Sequence, residues 1–201
     1  MRFTGHLDLR KTWERTFRRA GLPLAYSQGY TAHPQLNMAS PLPLGFTSSA
    51  ELGDFWLSQA LPPEDIQAAL KESVPPGLEV HQVEEIEEIH GDKLPVLIQA
   101  SEYTVDLLDA PENLAARVTE LINREEVPRT RRGKEYDLRK LIHSLVVDQQ
   151  AGTGQSQLRM VLATLPGATG RPDEVIDQLD IPRKNARITR TKIFLSENSS
   201  K

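Results

Sequence analysis

"SEYTVDLLDAPENLAARVTELINRE", residues 101–125, reads as a strand (101–108) running into a helix (111–125). Its weight lies in what surrounds it. Downstream, "VPRTRRGKEYDLRKLIHSLVVDQ" holds strand and a short helix, "QSQLRMVLAT" alternates as a strand, "RPDEVIDQLD" opens a helix on proline and acids, and "ARITRTKIFL" is a strand again. Upstream, "MRFT" reads as the end of a first strand. Residues 8–20 place Leu9, Trp13, Phe17 and Ala20 at helical spacing, and "QLNMAS" and "AELGDFWLSQ" alternate as half-buried strands. "PPEDIQAALKESV" then starts as helices start, and "GLEVHQVEEI" reads as a strand.

Strand, helix, two strands, helix, strand therefore occurs twice. That order predicts an α+β fold of two tandem ferredoxin-like (β-α-β-β-α-β) units, each an antiparallel sheet with helices on one face. The halves are expected at residues 1–90 and 100–195, with a junction at 89–100 and a flexible polar tail at 196–201. Trp13, Phe17, Phe55 and Trp56 are candidate core residues, and "GTGQSQ" at 152–157 reads as a hairpin turn. No residue-level repeat joins the halves.

The 201 residues are 38% hydrophobic and 26% charged, ordinary globular usage for one domain or two small ones. No apolar run approaches the roughly 20 residues that cross a bilayer, and the start lacks a signal peptide's apolar centre, so a soluble, cytoplasmic protein is expected. The absence of cysteine excludes disulfides, thiolate nucleophiles and cysteine-held zinc or iron–sulfur clusters in this chain. HxxxH, HxH, GxxxxGK[ST] and GxGxxG spacings are missing as well, so no metal or other cofactor is expected.

A formal net charge of −4 hides segregation. Arg2, Arg10, Lys11, Arg15, Arg18 and Arg19 crowd the first forty residues against Asp8 and Glu14, whereas residues 79–92 carry six acids and no base. A second basic block contains Arg129, Arg131, Arg132 and Lys134 around Gly133, then Tyr136, Arg139 and Lys140, and a third spans residues 183–192. Guanidinium groups suit phosphate and stack on bases, so these segments predict a polyanion-binding face, with solvated basic surface as the plain alternative.

"GYTAHPQLNMASPLPLG", residues 29–45, is rigid and uncharged. Pro34, Pro41 and Pro43 limit its freedom, and Tyr30 and His33 are flat side chains that either stack on bases or pack beneath the loop. Gly5 and His6 stand near a helix N-terminus, where anions bind. Asp8 is expected to cap that helix, Gly21 to end it, and Glu51 or Asp54 to pair with Arg18 or Arg19.

His6-Leu7-Asp8, Arg18 through Pro23, Ser27 through Pro34 and Leu42 through Glu51 together resemble a bacterial family of radical-SAM-linked proteins, a domain of unknown function. The match is dense over residues 3–57, and "VPRTRRGKEYDLRKLI" resembles the family's second basic block. Members generally have several residues before the positions of Arg2-Phe3, so the first strand is expected to be short here or to begin upstream. The resemblance implies structural roles for Asp8, Gly21, Pro23, Gly29, Pro34, Gly45 and Glu51. It also implies an accessory role beside a separately encoded radical SAM enzyme, because this chain has no cysteine to hold that enzyme's cluster.

Charge and resemblance together lead to one expectation, a non-catalytic RNA-binding module for structured ribosomal or transfer RNA. Its binding residues would be His6, Lys11, Arg15, Arg18, Arg19, Tyr30, His33, Arg129, Arg131, Arg132, Lys134, Tyr136 and Arg139. Tandem ferredoxin-like halves are also similar to CRISPR RNA-processing proteins, so one alternative is a metal-independent endoribonuclease using His6 or His33 with Tyr30. The other is a protein–protein adaptor for the radical SAM partner.

Overall fold

The computed structural model describes residues 1–86, 94–149 and 156–196. Residues 152–155 of the expected turn, 197–201 of the tail and 89–93 of the junction lie outside the described residues. The fold is α+β, and the chain forms two compact units: Met1–Gly45 with Glu51–Leu97, and Phe46–Ala50 with Ile98–Lys201.

In the first unit, helix α1 (His6–Arg19) lays Phe17 into a core of Leu24, Leu36, Ile66 and Leu70, with Trp13 and Phe55 packed against it. The Phe17 and Phe55 rings stand 4.7 Å apart, tilted by 54°, in the range of favourable aromatic pairs. α1 ends in a Schellman motif: Gly21 N–H bonds to Arg18 O at 3.2 Å and Leu22 N–H to Phe17 O at 3.1 Å. Gly21 takes the required left-handed φ of 67°. At the other end the N-cap is Gly5, without a side-chain capping bond. Asp8 lies inside the first turn rather than at the cap, where its carboxylate complements the helix dipole.

Strands β1 (Leu36–Met38) and β3 (Gly53–Phe55) pair antiparallel, and bridges Leu24↔Leu57 and Tyr26↔Pro34 add a third extended segment. Helix α2 (Pro63–Ser73) buries Ile66 and Leu70 against them, and a single turn, α3 (Leu94–Leu97), closes the unit. Two expected strands are missing. Residues 1–4 form a turn closed by Thr4 N–H to Met1 O. Residues 78–86 attach by side chains instead of sheet pairing: Val80 and Val83 pack on the core, and Val83 N–H bonds to Gln67 Oε1 at 3.0 Å.

The second unit has the expected order: β4 (Ile98–Leu107), α4 (Leu114–Asn123), β7 (Ile142–Gln149), β8 (Ser156–Leu165), α5 (Pro172–Gln178) and β10 (Ala186–Leu195). Two small additions interrupt it, the hairpin β5 (Pro128–Arg131) with β6 (Lys134–Asp137) and the short β9 (Ala168–Thr169) on β8. The long strands are antiparallel, ordered β10-β4-β8-β7, and β2 (Thr47–Ser48) adds parallel to β10. Val105, Leu158, Met160, Leu162, Val175 and Ile176 are fully buried. The tandem of two equal units is not established, since the first unit supplies only α-β-β-α-α among its described elements.

Candidate nucleic-acid interface

The two basic blocks meet different fates, and helix geometry explains the first. Lys11, Arg15 and Arg18 recur at spacings of four and three, so they line one side of α1, opposite the side that buries Thr16 and Phe17. All three are exposed, and no carboxylate among the described residues pairs with them. Their basic neighbours are engaged: Arg10 pairs with Glu14 at 3.3 Å, Arg19 donates to Ser73 O at 3.0 Å, and Arg2 donates to Gly45 O at 2.6 Å.

The loop after α1 is closed by two hydrogen bonds. Ser27 N–H donates to His33 O at 2.9 Å, and His33 N–H donates to Ser27 Oγ at 3.0 Å. Gly29, with φ 132°, occupies a backbone region that side chains resist. Tyr30 stands at the tip with its ring wholly in solvent, and His33 is exposed at the base. Pro23 O accepts from Ser58 N–H at 2.8 Å, tying the loop's entry to the strand end, and Gly45 adopts φ 89°. No hydrogen bond joins His6, Tyr30 and His33 to one another among the described residues. The expected pairing of Asp54 with Arg18 or Arg19 does not form. Asp54 is half-buried, and burial pushes its carboxyl above the ordinary range. Glu51 is exposed.

The second block behaves differently because acids on α5 reach it. Arg131 grips Glu174 with both edges of its fork, Nε to Oε1 at 3.0 Å and Nη2 to Oε2 at 2.6 Å, and a third nitrogen donates to Thr169 O at 3.1 Å. Tyr136 donates its hydroxyl to the same carboxylate, and the Arg131 guanidinium lies 4.9 Å from the centre of its ring. Burial works against the Arg131 charge, but Glu174 outweighs it and holds the group above its ordinary value. Burial, then Glu174, pushes the Tyr136 phenol upward.

Arg129 and Arg183 share Asp177 at 3.4 and 2.9 Å. The Arg183 hydrogen bond is the main reason that carboxyl stays below its ordinary range. Arg171 and Arg183 both reach buried Asp173. Arg139 is spent on the carbonyls of Ile122 and Ile142 at 2.8 and 3.1 Å, closing the end of α4. Asp137 Oδ1 accepts from Val127 N–H and Arg139 N–H, bonds that hold its carboxyl low, the first most strongly.

Of this block only Arg132 and Lys134, flanking the hairpin tip, stay exposed without a partner among the described residues. Arg132 and Gly133 have φ of 51° and 77°, as a tight primed hairpin turn requires. The sheet face away from the core is also self-satisfied: Gln157 donates to Asp106, Arg159 pairs with Asp148, and the Thr47 and Thr189 hydroxyls bond to each other. Tyr103 is buried on the core face of the sheet, and Phe194, half-exposed, lies under the Lys192 ammonium, 4.9 Å from its ring centre. Sequence reading missed Asp173, Glu174 and Asp177, whose one available signal was three acids on a single short helix.

No group of His, Asp or Glu among the described residues could hold a metal, and no described helix is long and apolar enough to cross a membrane. Residues 1–172 match the family described as "Uncharacterized protein conserved in bacteria (DUF2344)", and the chain belongs to that family. No curated protein matches it.

Proposed function

We propose that this member of the family is an RNA-binding accessory module whose polyanion path runs along α1. The supporting observation is the stripe of Lys11, Arg15 and Arg18, three exposed cations on one helix face, none of them in a salt bridge with a carboxylate among the described residues. Counterions released from the phosphates supply most of the affinity of such a surface, so binding should weaken steeply with salt. The ferredoxin-like strand order of the second unit and the two cations at the hairpin tip, Arg132 and Lys134, are compatible with a supplementary contact.

Joint action with a radical SAM enzyme is part of the same proposal and rests on the motifs between residues 3 and 57. With no cysteine in this chain, the partner would supply the cluster and the radical chemistry.

The test is a filter-binding titration against total cellular RNA at low and moderate salt. Salt-sensitive retention of intact RNA, lost in a Lys11→Ala/Arg15→Ala/Arg18→Ala variant, supports the module. No retention at low salt rejects it, and cleavage of the RNA replaces it with the nuclease reading.

A second reading, docking of a protein partner, is favoured by Phe3, Leu7 and Leu44, which are 78%, 72% and 64% exposed. An added β-carbon on Gly45 would lie 3.9 Å from the Phe3 ring, so that ring sits beside the Leu44 turn. Exposed apolar groups of this kind mark contact surfaces. Complex formation with the radical SAM enzyme in the absence of RNA, abolished by Phe3→Ser/Leu44→Ser, would put this reading first.

A further inference from the structure

Tyr30 is the most exposed large hydrophobic residue among the described residues, at 108% of its reference accessibility. A large aromatic ring left wholly in water gains nothing from the fold, yet the backbone beneath it is held. Ser27 and His33 close the loop with two hydrogen bonds, Tyr26 and Pro34 bridge its base, and Gly29 supplies the turn. Ordering a loop costs entropy, roughly 1–2 kcal/mol per residue. A loop ordered around an idle ring is a loop built before its ligand arrives.

We infer that Tyr30 is a stacking finger for an unpaired base, so that the substrate class is single-stranded RNA, or a single-stranded loop of a folded RNA, and not duplex. This rests on the RNA-binding reading and narrows it. Three observations favour a base over an apolar protein pocket. The loop 27–35 carries no formal charge, apart from the titratable His33, to repel or orient a partner, while the cations that would hold phosphates lie on α1 of the same unit. Tyr26, 46% exposed, and His33 offer further flat faces at the loop's base, as successive bases require. The second unit's sheet presents no comparably exposed ring among the described residues, since Tyr103 is buried and Phe194 is half-exposed beneath the Lys192 ammonium at 4.9 Å. Tyr30 lies nine positions beyond Gly21, which at about 3.6 Å per step keeps its Cα within roughly 32 Å of the end of α1. A strand of about ten nucleotides spans that distance at 3.4 Å per nucleotide.

Stacking and phosphate contact have different signatures, and the experiment uses them. A 20-nucleotide single-stranded RNA and the corresponding RNA duplex would be titrated at several salt concentrations with the full chain, Tyr30→Ala, Tyr30→Phe and the α1 triple variant. Loss of one stacked base lowers affinity about 5- to 150-fold. The expected result is such a drop for Tyr30→Ala on the single strand alone, with an unchanged slope against log salt and recovery in Tyr30→Phe. Single-strand binding by Tyr30→Ala equal to that of the unmodified chain, with the α1 variant impaired, overturns the finger and leaves the α1 path standing. An equal loss on duplex and single strand also overturns it. Failure of the unmodified chain to bind either RNA overturns both proposals.

Discussion

Helix α1 and the β5–β6 hairpin carry similar densities of arginine, but their arginines serve different ends. On α1 the nearest acids are Asp8, turned to the helix start, and Glu14, taken by Arg10. On the hairpin, Arg129 and Arg131 are answered by Asp177 and Glu174, 48 and 43 residues further along. A basic run becomes a ligand surface only when the fold brings no acid to it. The hairpin's arginines instead fasten an insertion to the helix that follows it.

The sharpest way to break this comparison is salt dependence. Removing Lys11, Arg15 and Arg18 together should lower the slope of log affinity against log salt by about 2, near 0.7 per phosphate contact on a single strand. Replacing Arg129 and Arg131 by alanine should leave the slope unchanged while lowering stability. Equal slope changes in the two variants would mean that the hairpin cations are as available as those of the helix.

Stability separates the regions next. Glu174→Ala strands both Arg131 and Tyr136, and loss of charge-assisted bonds at a site where Glu174 is 12% exposed should cost about 2 kcal/mol. Denaturant unfolding checks this, with Arg15→Ala as the contrast, expected within about 0.5 kcal/mol of the unmodified chain. A Glu174→Ala loss as small as that of Arg15→Ala would make the hairpin network decorative.

Acid should act on the second unit in a defined direction. Asp137 and Asp177 are held below their ordinary value of 3.8 when folded. The stability they contribute is present above that value and disappears as the pH falls through their folded values. Unfolding followed from pH 6 to pH 2 in Asp177→Asn should therefore show a shallower acid loss than the unmodified chain.

Asp54 should give the smallest effect, with the opposite sign. Burial raises its carboxyl when folded, so its charge opposes folding at neutral pH and the opposition fades as the group takes up its proton. Asp54→Asn should raise stability at pH 7 by no more than about 0.5 kcal/mol and should give no gain near pH 3. A loss at pH 7 would show that the carboxylate has a favourable charge partner.

The second unit was legible because its strands are long and its helices begin with proline and acids, signals that need no knowledge of the partner strand. The first unit was less so. "GLEVHQVEEI" alternates like a strand, but its Val80 and Val83 fall three apart on the core and its backbone pairs with no strand in the described residues. The α1 stripe was visible from spacing alone. The neutralisation of Arg129 and Arg131 was not, because it depends on α5 returning to the hairpin, and no local pattern encodes that return.

Strand β2 has a consequence for how the polypeptide is made. Thr47 lies beside Thr189 in the sheet, 142 positions later. A ribosome adding about 5–20 residues per second would take about 7 to 28 seconds to produce the partner strand after releasing Thr47. Throughout that interval Thr47 and Ser48 wait without their partner strand, next to Phe46, which the finished fold buries. The edge of the second sheet is thus the earliest part of it to be synthesised and among the last to be sealed, an opening for chaperones or misassembly while the chain is nascent.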